Sequence, residues 1–254
     1  MANKQKLLGL IGFPLSHSFS QNYFRNKFNS DNNLQNFDYL NFPIKTINEL
    51  PVVIEQNPEL LGFNVTIPYK EQIIKYLDEI EPEAQKAGAV NTVKVIRNIS
   101  DKYFLKGYNT DIYGFKQSLL PFLSRHHQKA LILGTGGAAK AVAYVLKRLN
   151  LDFYFVSRNN KAGNILSYQQ LTKDIIREHR LIINTTPLGM YPNIDTVPDI
   201  PYEWIDEKFL LYDLVYNPEE TKFLKSGKEK GAKIINGYQM LVLQAEKAWE
   251  IFTS

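Results

Sequence analysis

The stretch "LILGTGGAAKA", near the middle of the chain, constrains the fold more than any other feature. It joins a strand-like apolar run to a helix-like run, and it places Gly134, Gly136 and Ala139 in the spacing G-x-G-x-x-A. In a dinucleotide-binding fold the first glycine permits a tight turn, the second lets the backbone approach the pyrophosphate, and the small third residue lets helix and strand pack. The stretch therefore predicts a site for a dinucleotide at Gly134, Gly136, Gly137 and Ala138. A glycine-rich turn without a ligand is the alternative.

The residues after the next predicted strand indicate which dinucleotide binds. Folds that bind NAD usually place Asp or Glu there for the ribose hydroxyls, but this chain reads "VSRNNK", without an acid. Ser157, Arg158 and Asn159 can accept a 2′-phosphate instead, and the planar guanidinium of Arg158 is the strongest donor among them. We therefore expect NADP as the cofactor. An ordinary surface arginine is the alternative for Arg158.

Short β-rich runs alternate with helix-like segments in two series along the chain. The first series contains "KLLGLIGF", "FDYLNF", "LLGFNVTI" and "AVNTVKVI", and the second contains "KALILG", "DFYFVS", "RLIINTTP", "FLLYDLVY" and "AKIING". Segments between them, such as "YKEQIIKYL" and "AAKAVAYVLKRL", have helical apolar spacing. This alternation predicts an α/β protein with two α/β domains. The final "YQMLVLQAEKAWEIF" predicts an amphipathic helix, and the sequence alone does not say which half it packs against.

Composition excludes several classes of function. The chain has no cysteine and only four histidines, which show no ligand spacing, so we expect no metal. No apolar run reaches the roughly 18 residues of a membrane span. The formal charge of +4 is spread without Lys/Arg clusters, so neither a membrane nor a nucleic acid is an expected partner. The opening residues lack the cleavage site of a signal peptide, and we expect a cytoplasmic protein that binds a small molecule.

Seven polar clusters carry more information together than any one of them carries alone. They are "PLSHSFS", "NVTIPYK", "AGAVNTV", "GYNTDIYGF", "NTTPLGM", "DLVYNP" and "NGYQMLVLQA". In this order, around the dinucleotide turn, they resemble the shikimate dehydrogenase family over nearly the whole chain. The resemblance implies an enzyme that reversibly reduces 3-dehydroshikimate to shikimate with NADPH, in the route to chorismate and the aromatic amino acids. It would act as a monomer or a homodimer.

The resemblance also implies how the domains and the site are arranged. The substrate-binding domain would be residues 1–108 with the C-terminal helix 238–254, which returns to it, and a Rossmann-type NADP-binding domain would be residues 109–237. Thr185 and Gly237 would lie on the cofactor side, with Asn64 close to it. The implied substrate-binding residues are Ser18, Ser20, Thr66, Lys70, Asn91, Asp111, Tyr216 and Gln244.

Lys70 and Asp111 would be the catalytic pair. Hydride transfer to a ketone leaves an alkoxide that needs a proton, which a lysine can donate while a carboxylate orients the amine. Pro68 is typical of the first residue of a helix. The sequence therefore predicts Lys70 in the first turn of a helix, where the helix dipole disfavours a cation. A solvated lysine and an N-capping aspartate are the alternatives.

Two departures from the family and two rival functions stay open. The cofactor loop of the family often reads Asn-Arg-Thr followed by another basic residue, where this chain has Ser157, Arg158 and Asn159. Many members have proline after the second serine, where this chain has Gln21, and a helix capping box of Ser18 and Gln21 is an alternative to substrate binding. The nearest rival function is a quinate/shikimate dehydrogenase that uses NAD, and Arg158 argues against NAD. The other rival is a non-catalytic ligand sensor, which would need no proton donor such as Lys70.

Overall fold

The computed structural model of the protein describes residues 5–15, 19–99, 102–158 and 163–254. The chain forms two compact units, which are Met1–Thr110 with Ala245–Ser254 (unit 1) and Asp111–Gln244 (unit 2). Each unit contains one six-stranded sheet. The predicted α/β class with two α/β domains is confirmed. Among the residues that the structure describes, no helix is long and apolar enough to cross a membrane.

Unit 1 is built on a mixed sheet. Its strands and helices are β1 (Lys6–Gly12), α1 (Phe19–Ser30), β2 (Phe37–Pro43), α2 (Leu50–Gln56), β3 (Leu60–Val65), β4 (Glu79–Ile80), α3 (Pro82–Ala87), β5 (Thr92–Arg97) and β6 (Tyr103–Tyr108). The strand order is β2-β1-β3-β5-β6-β4. β1 pairs in parallel with β2 and β3, and β5 is antiparallel to β3 and β6. The carboxyl ends of β1 and β3 therefore meet at one edge of the sheet, where the clusters "PLSHSFS" and "NVTIPYK" begin.

Strand β1 is buried on both faces of this sheet. Side chains alternate along a strand, and Leu7 and Ile11 join an apolar cluster that includes side chains of α2. Leu8 and Leu10 join a second cluster with Phe24 of α1. Burial on both faces explains why the run is almost wholly apolar rather than alternating.

Unit 2 is built on a parallel sheet. Its elements continue the chain order and are α4 (Thr110–Leu119), β7 (Lys129–Leu133), α5 (Gly137–Arg148), β8 (Asp152–Val156), β9 (Ile165–Leu166), α6 (Lys173–Glu178), β10 (Leu181–Asn184), β11 (Leu210–Asp213), α7 (Lys222–Glu229), β12 (Lys233–Ile235) and α8 (Tyr238–Thr253). The strand order is β12-β11-β10-β7-β8-β9, and each neighbouring pair is parallel. The chain order reverses at β7, so the switch point at which such folds bind ligands lies beside the end of β7.

The last helix, α8, begins in unit 2 and ends in unit 1. Its Ala245, Ala248 and Phe252 lie in the apolar cluster that also contains Phe24. A Cβ on Gly62 would lie 2.4 Å from the Phe252 ring, so glycine permits the helix to approach β3 closely. Lys27 of α1 donates to Glu246 at 2.7 Å. The implied return of the C-terminal helix to the first domain is confirmed by these contacts.

The predicted helix start at Pro68 is wrong. Residues 66–71 contain turns and no α-helix, and the next regular element is a 3₁₀ helix over Gln72–Tyr76. The Lys70 carbonyl accepts a hydrogen bond from the Val90 amide at 2.8 Å, so this tertiary contact takes the acceptor that an α-helix would use. Lys70 therefore lies in a turn, and the helix-dipole argument for its position does not apply.

Candidate active site

The glycine turn after β7 has the geometry that the sequence predicts. Gly134 has φ of +108°, a conformation that side-chain-bearing residues rarely adopt. A Cβ there would lie 2.8 Å from the Thr185 hydroxyl oxygen, and that hydroxyl donates to the Leu133 carbonyl at 2.6 Å. Glycine thus allows the turns that follow β7 and β10 to touch at the switch point of the sheet.

The next glycine leaves room for an anion at the start of α5. Gly136 is exposed and forms the N-cap of α5, and no atom lies within 4 Å of the position that its Cβ would take. Among the described residues, the first turn of α5 holds no acidic side chain, so no carboxylate of this turn competes for the backbone N–H groups of the helix start. Ala139 is fully buried, as the third position of the motif requires. Gly136, Gly137 and Ala138 therefore fit the pyrophosphate of a dinucleotide.

Ser157 and Arg158 follow β8, where the sequence predicts the site for a phosphorylated ribose. Ser157 is half-buried, and its amide donates to the Leu166 carbonyl of β9 at 2.9 Å, whereas Arg158 is exposed. Burial raises the pKa of the nearby Tyr168 hydroxyl, and the charge of Arg158 partly offsets this rise. The guanidinium is thus presented beside the end of β8. Asn159 lies outside the described residues.

A buried aspartate that the motifs did not predict organises the loops at the ends of β10 and β11. Asp213 is fully buried, and burial raises its pKa to about 6 despite hydrogen bonds that lower it. Its carboxylate accepts from the Asn184 side chain at 3.0 Å, from the Val215 amide at 3.0 Å and from the Thr221 hydroxyl at 2.6 Å. The signal was an acidic residue at the end of the apolar strand "LLYD", where a charge is buried only with partners.

Tyr216 and Gly237 lie on the loops beside this aspartate. Tyr216 follows Val215 directly and is half-buried, and burial raises the pKa of its hydroxyl. The Gly237 amide donates to the Val215 carbonyl at 3.1 Å, and a Cβ on Gly237 would lie 2.1 Å from the Leu214 carbonyl oxygen. Glycine is therefore needed for the backbone of residue 237 to reach the loop that carries Tyr216.

In unit 1 the polar residues of four motifs form one hydrogen-bonded cluster. The Tyr39 hydroxyl donates to the Asn64 side-chain oxygen at 2.9 Å, and the Asn64 amide donates to the Thr92 hydroxyl at 3.0 Å. Burial raises the pKa of Tyr39, and a hydrogen bond with the Ser20 side chain partly offsets this rise. The Asn91 side-chain amide donates to the Thr110 hydroxyl at 3.1 Å. The structure thus brings Ser20, Asn64 and Asn91 together, along with residues that the sequence analysis did not name.

The turn that carries Thr66 and Lys70 lies against the same part of unit 1. The Thr66 amide donates to the Ile11 carbonyl of β1 at 2.9 Å. The Val90 amide donates to the Lys70 carbonyl, and the carbonyl of the next residue, Asn91, accepts a bond from the Val65 amide at 2.8 Å. The backbones of Lys70 and Asn91 are therefore held close together by adjacent bonds. The Lys70 side chain is half-buried.

The helix start near "PLSHSFS" has a specific arrangement around Gln21. The Gln21 side chain donates to the Tyr39 carbonyl at 3.4 Å and accepts from the Asn41 side chain at 3.0 Å. These bonds connect the start of α1 to β2. Many members of the family have proline at the position of Gln21. Ser18, and with it the capping-box alternative, lies outside the described residues.

Asp111 and Gln244 lie on two helices that pack together in unit 2. Asp111 is buried in the first turn of α4, and Gln244 is buried on α8. A Cβ on Gly114 would lie 2.6 Å from the Met240 carbonyl oxygen and 3.1 Å from the Gln244 Cβ, so Gly114 lets α4 and α8 touch. Lys70 belongs to unit 1 and Asp111 opens unit 2, and their pairing stays a prediction.

Unit 2 has a parallel sheet with a dinucleotide turn at its switch point, and unit 1 has clustered hydroxyl and amide side chains. Together these features are those of a dinucleotide-dependent oxidoreductase. The sequence model of the shikimate dehydrogenase substrate-binding domain matches residues 10–93. The shikimate dehydrogenase (NADP(+)) of Methanosphaera stadtmanae is 37% identical over 272 residues, which cover 100% of this chain and 93% of the relative. The chain belongs to the shikimate dehydrogenase family.

Solved structures of similar proteins agree with this family. Shikimate 5-dehydrogenase from Thermus thermophilus, in complex with NADP(H) and shikimate, has a TM-score of 0.82 and 30% identity, with 97% of this chain and 93% of that chain covered. Shikimate 5-dehydrogenase from Listeria monocytogenes, in complex with shikimate and NAD, has a TM-score of 0.80 and 28% identity, with 98% and 92% covered. Both nicotinamide cofactors therefore occur in complexes of similar proteins.

Proposed function

We propose that this protein is an NADP-dependent shikimate dehydrogenase, which reversibly reduces 3-dehydroshikimate to shikimate in chorismate and aromatic amino acid biosynthesis. The observation that carries the proposal is the full-length similarity to a relative named shikimate dehydrogenase (NADP(+)). The geometry of the turn between β7 and α5 supports it, because Gly136 leaves open space at a helix start that suits a pyrophosphate.

The proposed domain roles follow from the two sheets. We assign substrate binding to residues 1–108 with the helix 238–254, and NADP binding to residues 109–237. The compact units differ from this division only by a few residues, since they change at Thr110 and at Gln244. The difference comprises residues 109–110, at the start of α4, and residues 238–244, in the first half of α8.

The chain's own residues donate and accept the proton in this reaction. NADPH, when bound, supplies the hydride that reduces the ketone carbon. The ketone oxygen then takes a proton from the Lys70 ammonium, and Asp111 orients that group. In the reverse direction neutral Lys70 takes the proton from the substrate hydroxyl. Lysine suits both directions because its amine can hold or release a single proton at one atom, Nζ.

The substrate is a ring carboxylic acid with several hydroxyl groups, and the proposed partners match that chemistry. Ser18 and Ser20 would bind the carboxylate. Thr66, Asn91 and Gln244 would bind the ring hydroxyls, and Tyr216 would contact the substrate from the loop after β11. Each buried hydroxyl of the ligand needs a placed partner, because an unsatisfied one costs about 1–3 kcal/mol.

The choice of cofactor has a second candidate. Arg158 beside the end of β8, with no acid in "VSR", favours the 2′-phosphate of NADP. The Listeria monocytogenes relative solved with NAD favours the alternative that this chain also uses NAD, with shikimate or quinate as substrate. We assign NADP, because an arginine fork recognises a phosphate more strongly than a ribose hydroxyl.

One assay tests both the reaction and the cofactor. The absorbance at 340 nm is followed with shikimate or quinate, each with NADP or NAD. We expect turnover with shikimate and NADP to exceed the other three combinations. Preference for quinate and NAD would favour the rival enzyme. No turnover in any combination, with shikimate binding retained in calorimetry, would favour the ligand sensor.

We also propose the location and the oligomeric state of the enzyme. We place it in the cytoplasm, where a biosynthetic dehydrogenase meets NADPH, and we expect it to be a monomer or a homodimer. Size-exclusion chromatography with light scattering would measure the oligomeric state.

A further inference from the structure

We infer that Thr92 is a positioning residue of the dehydrogenase site, although it touches no solvent. The inference rests on the proposed function. Thr92 opens β5 and is fully buried, so it cannot contact a substrate. Its hydroxyl nevertheless lies among side chains that belong to three of the family motifs, and it determines how they point.

The hydroxyl of Thr92 has three neighbours at hydrogen-bond distance. It accepts from the Asn64 side chain at 3.0 Å and lies 3.2 Å from both the Asn91 side-chain oxygen and the Thr110 hydroxyl. A threonine hydroxyl has one hydrogen and two acceptor sites. The Thr110 hydroxyl also lies 3.3 Å from the Asn91 side-chain oxygen, so the hydrogen of Thr92 goes either to Asn91 or to Thr110, while Asn64 donates to Thr92 in both cases.

This pattern sets the orientation of two amide groups. The Asn64 side-chain oxygen accepts from the Tyr39 hydroxyl, and the Asn64 side-chain nitrogen donates to Thr92. Asn91 receives the Thr110 amide at 2.7 Å on its oxygen and turns its nitrogen to the Thr110 hydroxyl. The oxygen and nitrogen ends of an amide are assigned from such partners. Backbone groups, which cannot exchange donor and acceptor roles, decide both cases: the Asn64 nitrogen also donates to the Asn91 backbone carbonyl at 3.4 Å, and the Asn91 side-chain oxygen accepts from the Thr110 N–H.

The same bonds fix the start of the helix that carries Asp111. Thr110 is the first residue of α4 and is buried, and both its amide and its hydroxyl bond to Asn91. Asp111 is the next residue. A shift of Thr110 therefore moves the carboxylate that we propose orients the proton donor. A misplacement of about 1 Å is enough to reduce turnover.

Loss of the Thr92 hydroxyl is the direct test. Thr92→Val keeps the shape and removes the hydrogen bonds, whereas Thr92→Ser keeps the hydroxyl and removes a methyl group. In the 340 nm assay we expect Thr92→Val to lower kcat/KM for shikimate about tenfold, the effect of one lost buried bond. Thr92→Ser should retain most of the wild-type kcat/KM, and the KM for NADP should be unchanged in both variants.

Val93→Ala is the matched control, because Val93 is the next residue of β5, is equally buried and lies outside the hydrogen-bonded cluster. We expect it to lower the melting temperature without the loss of kcat/KM. If Val93→Ala and Thr92→Val lose activity in parallel with stability, the role of Thr92 is only structural and the inference is wrong.

A second measurement separates this inference from the proposed function. The side-chain NH₂ signals of Asn64 and Asn91 in ¹H–¹⁵N spectra report how the amides are held without any turnover. We expect them to shift in Thr92→Val and to stay in place in Thr92→Ser. Unchanged signals in Thr92→Val would overturn the inference. An inactive wild-type protein would overturn the proposed function instead, and the amide signals would still decide whether Thr92 orients Asn64 and Asn91.

Discussion

Lys70 shows how a single residue is placed by tertiary contacts rather than by local propensity. Its carbonyl bonds to Val90, which precedes Asn91, and the neighbouring Tyr69 is buried with its hydroxyl donating to the Ile44 carbonyl at 2.8 Å. These contacts anchor the turn on both sides of the lysine. The half-buried side chain is thus held on a rigid segment, as a proton donor requires.

Removing the lysine should affect turnover more than binding. We expect Lys70→Ala to lower kcat by at least roughly 100-fold, with a smaller change in KM, because the proton is needed in the transition state. Asp111→Asn should act similarly, and the double variant should lose much less than the product of the two losses. Steady-state kinetics measures this. Lys75→Ala, an exposed lysine in the nearby 3₁₀ helix, is the control that should keep normal turnover. Near-normal kcat in Lys70→Ala would mean that Lys70 is a solvated lysine without a catalytic role.

Arg158 should decide the preference for NADP over NAD. Arg158→Asp removes a charge-assisted contact worth roughly 1.5–3 kcal/mol, so the KM for NADP should rise about 10- to 100-fold while the KM for NAD changes less. Arg148→Asp, which makes the same charge change in the last turn of α5, should leave the preference unaltered. An equal rise for both cofactors would mean that Arg158 does not read the 2′-phosphate.

At the scale of elements, buried polar side chains hold the loops that periodicity cannot define. His127, in the connection between α4 and β7, is buried. Its Nδ1 accepts from the Ser124 amide at 3.1 Å, and its Nε2 lies 3.2 Å from the Lys208 carbonyl, to which it donates. These partners select the neutral ring with its hydrogen on Nε2, because a proton on Nδ1 would face the Ser124 N–H.

The stability of the protein should therefore depend on the protonation of His127. Burial lowers the pKa of His127 in the folded protein, although the bond to Lys208 opposes this. Below a pH of about 6.5 the unfolded state then binds more protons than the folded state, so the stabilisation is present above this pH and is lost as the pH falls. We expect His127→Gln to show a smaller decrease in melting temperature between pH 7 and pH 5 than the wild type.

The His127→Gln variant must be compared with the wild type, because Asp213 changes the stability with pH in the opposite direction. Its pKa in the folded protein is raised to about 6, so its contribution falls as the pH rises from about 4 to 6. This contribution is common to both proteins and cancels in the difference. Parallel melting curves for His127→Gln and wild type would show that His127 does not titrate on unfolding.

At the scale of the whole molecule, the C-terminal helix makes unit 1 discontinuous. Residues 245–254 complete an apolar cluster with α1, β1 and β2. The pair of Lys27 and Glu246 adds a polar tie, and hydrogen bonds from Lys27 and Tyr23 outweigh the effect of burial and lower the pKa of Glu246. The stability of the first unit therefore depends on residues at the far end of the sequence.

Truncation of Phe252 should destabilise the protein strongly. The ring is buried against Gly62, and Phe252→Ala leaves a cavity over this glycine, which has no side chain to fill it. We expect a loss of roughly 3–5 kcal/mol in the free energy of unfolding, measured by urea denaturation. Glu250→Ala, which removes an exposed pair with Lys247 on the same helix, should cost less than about 1 kcal/mol. Similar costs for the two variants would mean that the helix end contributes little.

The local features of this protein could be predicted from the order of its residues. The spacing Gly134, Gly136 and Ala139 predicted the dinucleotide turn, because a left-handed turn and a close helix contact each admit few residue types. The apolar runs predicted β1, β2, β3, β5 and most strands of unit 2. β6 and the two-residue strands β4 and β9 were missed, since their pairing depends on neighbours distant in the chain rather than on their own periodicity.

How these features combine depends on long-range contacts that residue order does not reveal. Pro68 is locally a helix start, but Lys70 bonds to Val90 and the segment is a turn. Thr92 has no local signature of function, and the aspartate that ends "LLYD" signals only that a buried carboxylate needs partners. Which partners lie within hydrogen-bond distance is decided by the fold. The packing of α8 on unit 1 was likewise open, since an amphipathic helix specifies that one face is buried and not which surface buries it.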